Sequence, residues 1–197
     1  IDDGTIRFTP RNPVELPDTW FMDANGSAGI DLPEMIFLGA AYAPNEKWEI
    51  NVGAVYTGWS SYDEFRLDFE EPILIVPGAG LVVTESAEER NWDDVWRYNI
   101  GTAYKYSDEL SLYGSFIYDV SPIPDAHFDY TVPTWDRRLL GVGFSYQPGK
   151  WRLDASYQFL WIGDRNIEER QVEAGVLQTS IIDGRAHLIG LSLSRKF

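Results

Sequence analysis

Apolar and polar residues alternate with a period of two through most of the chain, the spacing of strands rather than helices. From Trp151 one face reads Trp151, Leu153, Ala155, Tyr157, Phe159 and Trp161, while the other reads Arg152, Asp154, Ser156 and Gln158 before turning apolar at Leu160 and Ile162. The same alternation sets Leu110, Leu112, Gly114, Phe116 and Tyr118 against Ser111, Tyr113 and Ser115. It also sets Leu140, Val142, Phe144 and Tyr146 against Gly141, Gly143 and Ser145, and Tyr98, Ile100, Thr102, Tyr104 and Tyr106 against Arg97, Asn99, Gly101, Ala103 and Lys105. Two earlier segments carry Ile36, Leu38, Ala40, Tyr42 and Trp48, Ile50, Val52, Ala54, Tyr56. The chain closes on Ile189, Leu191, Leu193 and Phe197, alternating with Gly190, Ser192, Ser194 and Lys196.

With a short first segment around Thr5 to Thr9, this pattern predicts about eight strands, most of roughly ten residues, and no amphipathic helix. The connections fall into two kinds, short turns at 43–47, 107–109 and 147–150, and long ones at about 10–32, 61–92, 119–135 and 164–184. They alternate strictly, so in a meander every short turn lies at one end and every long loop at the other. Ten-residue strands with a dyad repeat, aromatic residues at their ends and this asymmetry of connections are the signature of an outer-membrane barrel. The fold expected is therefore all-β, an antiparallel up-and-down transmembrane β-barrel. A soluble sandwich or lipocalin-like barrel also alternates, but rarely places Gly, Ser, Asn and Arg opposite the apolar face while putting Trp and Tyr at the strand ends. Trp48, Trp96, Trp151 and Trp161 read as members of interfacial belts.

Composition narrows the function. The 197 residues carry 16 basic and 31 acidic side chains, a formal charge of −15, which can hardly supply the basic face that nucleic acid requires. Hydrophobic residues at 44% exclude a disordered chain. A mean hydropathy of −0.26 and the lack of any 18-residue apolar run exclude a transmembrane helix, though not membrane-crossing strands. With no cysteine there is no disulfide framework or thiolate site. Ile1-Asp2-Asp3-Gly4 offers neither a basic n-region nor an apolar h-region, so the sequence reads as cytoplasmic, as mature after processing, or as a piece of something longer.

Several stretches resemble, in order and spacing, the C-terminal half of the FadL/TodX family of outer-membrane transporters. These are Tyr56-Thr57-Gly58-Trp59-Ser60, Leu112-Tyr113-Gly114-Ser115-Phe116-Ile117-Tyr118-Asp119, Ser121-Pro122-Ile123-Pro124-Asp125, and Val132-Pro133-Thr134-Trp135-Asp136-Arg137-Arg138 followed by Gly141-Val142-Gly143-Phe144. The resemblance spans about residue 30 to 197. It implies uptake of long-chain fatty acids or other hydrophobic compounds and a fourteen-stranded barrel whose N-terminal segment plugs the lumen. This chain would supply the last eight strands, one transmembrane domain over 1–197 without that plug. The alternating end at Phe197 resembles the signal read by the barrel assembly machinery. The alternative is a complete small barrel acting as a lipid-modifying enzyme or in adhesion, since eight strands suffice to close one.

Chemistry-bearing residues are few. His187 and the nearby Ser192 and Ser194 fall on opposite faces of one strand, and no Gly-x-Ser-x-Gly elbow exists, which argues against a hydrolase. His127 lies in a proline-rich loop with Asp125 and Asp129, read as solvated rather than metal-binding. The loop carboxylates, Asp63, Glu64, Asp68, Glu70, Glu71, Glu85, Glu88, Glu89, Asp93 and Asp94 among them, read as solubilising, with cation bridging to lipopolysaccharide as the functional alternative. Pro72 to Val83 is an apolar run inside the longest loop, either a capture surface for a hydrophobic substrate or a hairpin extending its flanking strands with Pro77-Gly78 at the turn. Arg97, Asn99, Lys105, Arg138, Arg152 and Gln158 read as facing inward, where a cation attracts a fatty-acid carboxylate or pairs with Glu49 or Asp154.

The reading is a non-enzymatic transporter of the bacterial outer membrane that needs no cofactor or metal and binds no nucleic acid. Its partners would be the lipid bilayer, lipopolysaccharide and a hydrophobic small molecule. Ile73, Leu74, Ile75, Val76, Leu81, Val82, Arg97, Arg138 and Arg152 are the candidate substrate-binding residues.

Overall fold

The computed structural model describes residues 4–6, 24–76, 81–128, 132, 134–167, 179–181 and 183–196. Its strands are β1 (Gly4–Ile6), β2 (Ala24–Gly29), β3 (Met35–Asn45), β4 (Trp48–Thr57), β5 (Glu64–Val76), β6 (Leu81–Glu89) and β7 (Val95–Lys105). They continue with β8 (Leu110–Asp119), β9 (Arg137–Tyr146), β10 (Trp151–Ile162), β11 (Arg165–Ile167), β12 (Thr179–Ile181) and β13 (Arg185–Arg195). Backbone contacts divide the chain into two units, one of 1–32 with 60–92 and one of 33–59 with 93–197.

The second unit contains a seven-stranded antiparallel sheet in the order β13-β10-β9-β8-β7-β4-β3, in which each strand pairs with its neighbour along the chain once β5 and β6, which belong to another sheet, and the short β11 and β12 are left out. Its tight turns are built by short polar side chains. Asn45 Oδ1 accepts from the backbone N–H of Lys47 and Trp48 at 3.0 and 3.1 Å, and Ser107 Oγ accepts from those of Glu109 and Leu110 at 3.3 and 3.1 Å. At the third, Pro148 sets the bend and Gly149 takes a φ of +62°, open to glycine at little cost.

Register confirms the expected faces. Val52, Ile100, Phe116, Leu140 and Phe159 form one cross-strand row, and Ala54, Tyr98, Tyr118, Arg138, Trp161 and Arg185 the next row toward the long loops. These apolar side chains are not a dry core: Leu191 is 77% and Ile189 76% exposed. Such exposure over a whole sheet face is unstable in water and suited to a hydrocarbon surround.

Aromatic rings gather at both ends of that face. Trp48 and Tyr104 lie 4.6 Å apart at the short-turn end, and Tyr56 and Trp96 5.3 Å apart at the long-loop end. Eight residues separate Trp48 from Tyr56, about 27 Å along a strand and about 21 Å after a tilt of about 40°, close to the height of an outer-membrane apolar band.

Two expectations change. The segment Thr5 to Thr9 adds no eighth strand to this wall; Gly4–Ile6 pairs instead with Ala24–Gly29, and 7–10 lie outside the described residues. Five residues between Asp2-Asp3-Gly4 and Pro10 are too short to cross a bilayer, which needs about nine to eleven. The loop at 61–92 is also more ordered than read, because β5 and β6 form a hairpin within a four-stranded sheet, β1-β2-β5-β6.

Candidate substrate-binding surfaces

The inward face of the seven-stranded sheet changes character along its height. Near the short turns it is polar and small. Glu49, Ala103, Tyr113, Gly143, Ser156 and Gly190 stand in one row, and Lys105, Ser111, Ser145, Asp154 and Ser192 close by. A hollow of about 450 Å³ opens here, lined by Ser115, Asp154, Ser156, Gln158 and Ser192. Glycine makes the hollow, since a Cβ at Gly143 would lie 2.9 Å from the Ala155 carbonyl oxygen and one at Gly190 2.7 Å from Ser156 Oγ.

Two rows closer to the long loops, the same face turns apolar. Ile117, Leu139 and Leu160 are directly paired across β8, β9 and β10, half-buried, with Asn99 continuing the row on β7. The next row sets Arg97 opposite Asp119 and Asp119 opposite Arg137, with Val55 and Ile162 at its ends. Arg137 Nη2 donates to Asp119 Oδ2 at 2.7 Å, whereas Arg97 makes no ion pair among the described residues. An aliphatic strip with an unneutralised guanidinium on its border suits an amphipathic anion. Periodicity alone hid this strip, because Ile117 and Leu139 interrupt faces that otherwise read as polar; Leu160 and Ile162 were its only visible signal.

The predicted cations separate. Arg152 Nε donates to both oxygens of Asp154, at 2.9 and 3.0 Å, so its charge is spent on the interior pairing. Arg138 does not face inward. It shares the apolar face with Tyr118 and Trp161, its Cζ 5.7 Å from the Tyr118 ring centroid, and the inward arginine at this height is Arg137. Its even position matches Leu140 and Val142, so alternation itself puts it outside.

In the other unit the apolar run forms the tip of the β5–β6 hairpin, with Ile73 opposite Val83, Leu74 opposite Val82 and Val76 opposite Leu81. Ile73 is half-buried and Val82 53% exposed; Pro77 to Gly80, where the turn was expected, lie outside the described residues. The stem places Glu64 opposite Glu89 and Asp68 opposite Glu85, an arrangement of like charges. Arg66 bridges it, 2.8 Å from both Glu64 and Glu85, and the Glu64 hydrogen bond holds its guanidinium still further above its ordinary value. The base is closed by the N–H groups of Arg90 and Asn91, which both donate to the Asp63 carbonyl.

The proline-rich loops are held together around a residue the motifs did not reveal. Arg165 is 3% exposed, stacked on Trp135 at 4.1 Å and Phe128 at 4.9 Å. It donates to Asp125 Oδ1, to the Ile123 carbonyl and to the Thr134 carbonyl. Asp136 accepts from the Tyr118 hydroxyl at 2.7 Å and from the Ser121 N–H at 2.9 Å, so the Ser-Pro-x-Pro-Asp and Asp-Arg segments are tied to the wall. Asp125 beside His127 is thus engaged by Arg165, His127 itself is buried rather than solvated, and Asp129 lies outside the described residues. His187 faces Tyr157, 2.7 Å from its hydroxyl, on the opposite face from Ser192 and Ser194, as alternation required.

A family model described as outer membrane protein transport protein (OMPP1/FadL/TodX) matches residues 11–197. A long-chain fatty acid transport protein of Escherichia coli O6:H1 is 24% identical over 176 residues, covering 88% of this chain and 36% of that protein. A putative outer membrane protein of Neisseria meningitidis serogroup B is 25% identical over 183 residues, with 88% and 39% covered. The chain therefore spans somewhat over a third of the length of these relatives. Among solved structures, a Pseudomonas aeruginosa FadL homologue superposes with a TM-score of 0.70 at 22% identity, over 88% of this chain and 38% of that one. The P. putida toluene transporter TodX gives a TM-score of 0.57 at 20% identity, over 90% and 38%.

Proposed function

Because the chain belongs to the OMPP1/FadL/TodX family of outer membrane transport proteins, we propose that it forms part of the wall of a barrel that passes hydrophobic compounds across the outer membrane without covalent chemistry. The observation that carries this reading is the inward strip of Ile117, Leu139 and Leu160 beside Arg97, on a face otherwise too polar to pack as a dry core. A substrate with an apolar body partitions onto the strip, and a carboxylate, where it has one, meets the guanidinium. Below it the small, polar, hollowed wall gives a hydrophobic molecule little to hold, which favours release. Near the hairpin tip, Ile73 and Val83, half-buried, and the exposed Val82 offer a separate apolar surface suited to capture. Long-chain fatty acids and monoaromatic hydrocarbons are the two substrate classes, the first favoured by Arg97.

The sheet edges at β3 and β13 carry no partner strand among the described residues, and a barrel needs both paired. We take the closing strands to come from outside this chain. Short turns on the periplasmic side and long loops outside follow from the general asymmetry of such barrels.

The test is uptake of radiolabelled oleate and toluene by cells carrying the whole native protein or its Leu139→Asn/Leu160→Asn variant. Uptake above that of cells lacking the gene, lowered about tenfold in the variant while heat-modifiable folding persists, supports the proposal. Uptake equal to that of cells lacking the gene overturns it.

A further inference from the structure

The charges of the seven-stranded sheet are sorted by face. In a chain with 31 acidic and 16 basic residues, the acidic side chains of these strands, Glu49, Asp119 and Asp154, all stand on the inward face. Within the strands the apolar face carries Arg138, Arg185 and Arg195 and no carboxylate; at its long-loop end Asp136 and Asp94 accept from the hydroxyls of Tyr118 and Tyr56. Two of the three sit together: Trp161 on β10 is opposite Arg138 on β9 and opposite Arg185 on β13. Strands about 4.8 Å apart put these two backbones roughly 10 Å from each other, with an indole between them. This is the long-loop end, where the apolar band meets the outer headgroups.

We propose that Arg138 and Arg185, flanking Trp161, form a binding site for the phosphate groups of a bisphosphorylated glycolipid in the outer leaflet. The inference rests on the reading that the apolar face meets lipid. Arginine suits the role because its planar fork donates bidentately to phosphate while its stem and the indole lie against acyl chains. Arg138 keeps its donors available, its guanidinium near the Tyr118 ring and in no ion pair among the described residues; the nearby Asp136 is occupied by the Tyr118 hydroxyl. Arg185 donates to Asp183 at 2.6 Å, a pair exposed on both sides, 61% and 76%. Such a pair is weak, and it uses one of five N–H groups. Arg195 stands at the other end, its Cζ 5.2 Å from the Trp151 ring, and serves as a control for the opposite leaflet.

The experiment uses the whole native protein, reconstituted in phosphatidylcholine vesicles containing about one-tenth lipid A, and counts retained lipid A by native mass spectrometry. The Arg138→Gln/Arg185→Gln variant is expected to bind lipid A about thirtyfold more weakly, corresponding to about 1 kcal/mol for each arginine near a charged surface. Arg195→Gln should leave retention unchanged, and dephosphorylated lipid A should bind the native protein as weakly as the double variant binds lipid A. Millimolar inorganic phosphate should not displace the lipid. Equal retention by the native protein and the double variant, or full displacement by inorganic phosphate, overturns the site. Brominated acyl chains added to the same samples quench tryptophan if the apolar face meets lipid. Quenching with equal retention defeats the phosphate site alone, and absence of quenching defeats the reading beneath it.

Discussion

Val142 offers the sharpest test of which face meets the membrane. It is 55% exposed on the apolar face of β9, paired with Gly114 and Tyr157, and stands four residues from Arg138 and four from Tyr146. Four residues are about 13 Å along a strand, or about 10 Å of depth after a tilt of about 40°, so Val142 lies near the middle of the apolar band. An arginine there cannot bring its charge to either interface without deforming the bilayer, and the measured cost of arginine at that depth is about 2–4 kcal/mol. That predicts a roughly thirty- to several-hundredfold loss in the folding equilibrium for Val142→Arg. Ser156→Arg is the matched control, on the inward face of the adjoining strand, where it enters the hollow of about 450 Å³ close to Asp154. Its cost should stay below about 1 kcal/mol, as for an exposed substitution with room. The assay is urea titration of the whole protein in thin-lipid vesicles, followed by heat-modifiable migration and tryptophan fluorescence. A Val142→Arg cost equal to or below that of Ser156→Arg refutes the assignment of faces.

Other predictions concern single contacts. Arg165→Met should expose residues 121–128 and 134–136 to protease and raise their amide exchange while the heat-modifiable barrel persists, because Arg165 holds Asp125, Ile123 and Thr134 rather than the wall itself. Arg165→Lys should rescue only part of that protection, since an ammonium lacks the planar fork. Gly143→Val should lower stability by about 1–3 kcal/mol in the same urea titration, its Cβ meeting the Ala155 carbonyl oxygen 2.9 Å away, which is backbone and cannot turn aside. Arg66→Gln should leave the urea midpoint nearly unchanged, because its bridges to Glu64 and Glu85 are between exposed groups.

How far the chain could be read in advance follows from what alternation encodes. Seven of the strands were legible because each presents one continuous apolar face to a single solvent, as in Trp151 to Trp161. The hairpin over 64–89 was legible only at its apolar tip, as one of two readings, since its stem is exposed and charged and the pairing of Glu64 with Glu89 has no periodic signature. The first segment was overread because five alternating residues satisfy a period without satisfying a length. The parity of Arg138 sets it outside with Leu140 and Val142, and only its charge points to the lumen. The strip of Ile117, Leu139 and Leu160 emerges only when register brings three strands side by side, and Arg165 only when Asp125 and Trp135 are brought to it by the loops.

The central claim is that one face of this sheet meets hydrocarbon and the other encloses a water-containing passage. Since this chain contains no cysteine, single cysteines can be placed in turn at Leu153 to Leu160 of β10, spin-labelled in the reconstituted native protein, and read for collision with oxygen and with a water-soluble nickel complex. The account predicts strict alternation, with oxygen contact high at 153, 155, 157 and 159 and nickel contact high at 154, 156 and 158. Nickel contact high at the first set, or no alternation along the strand, would contradict it.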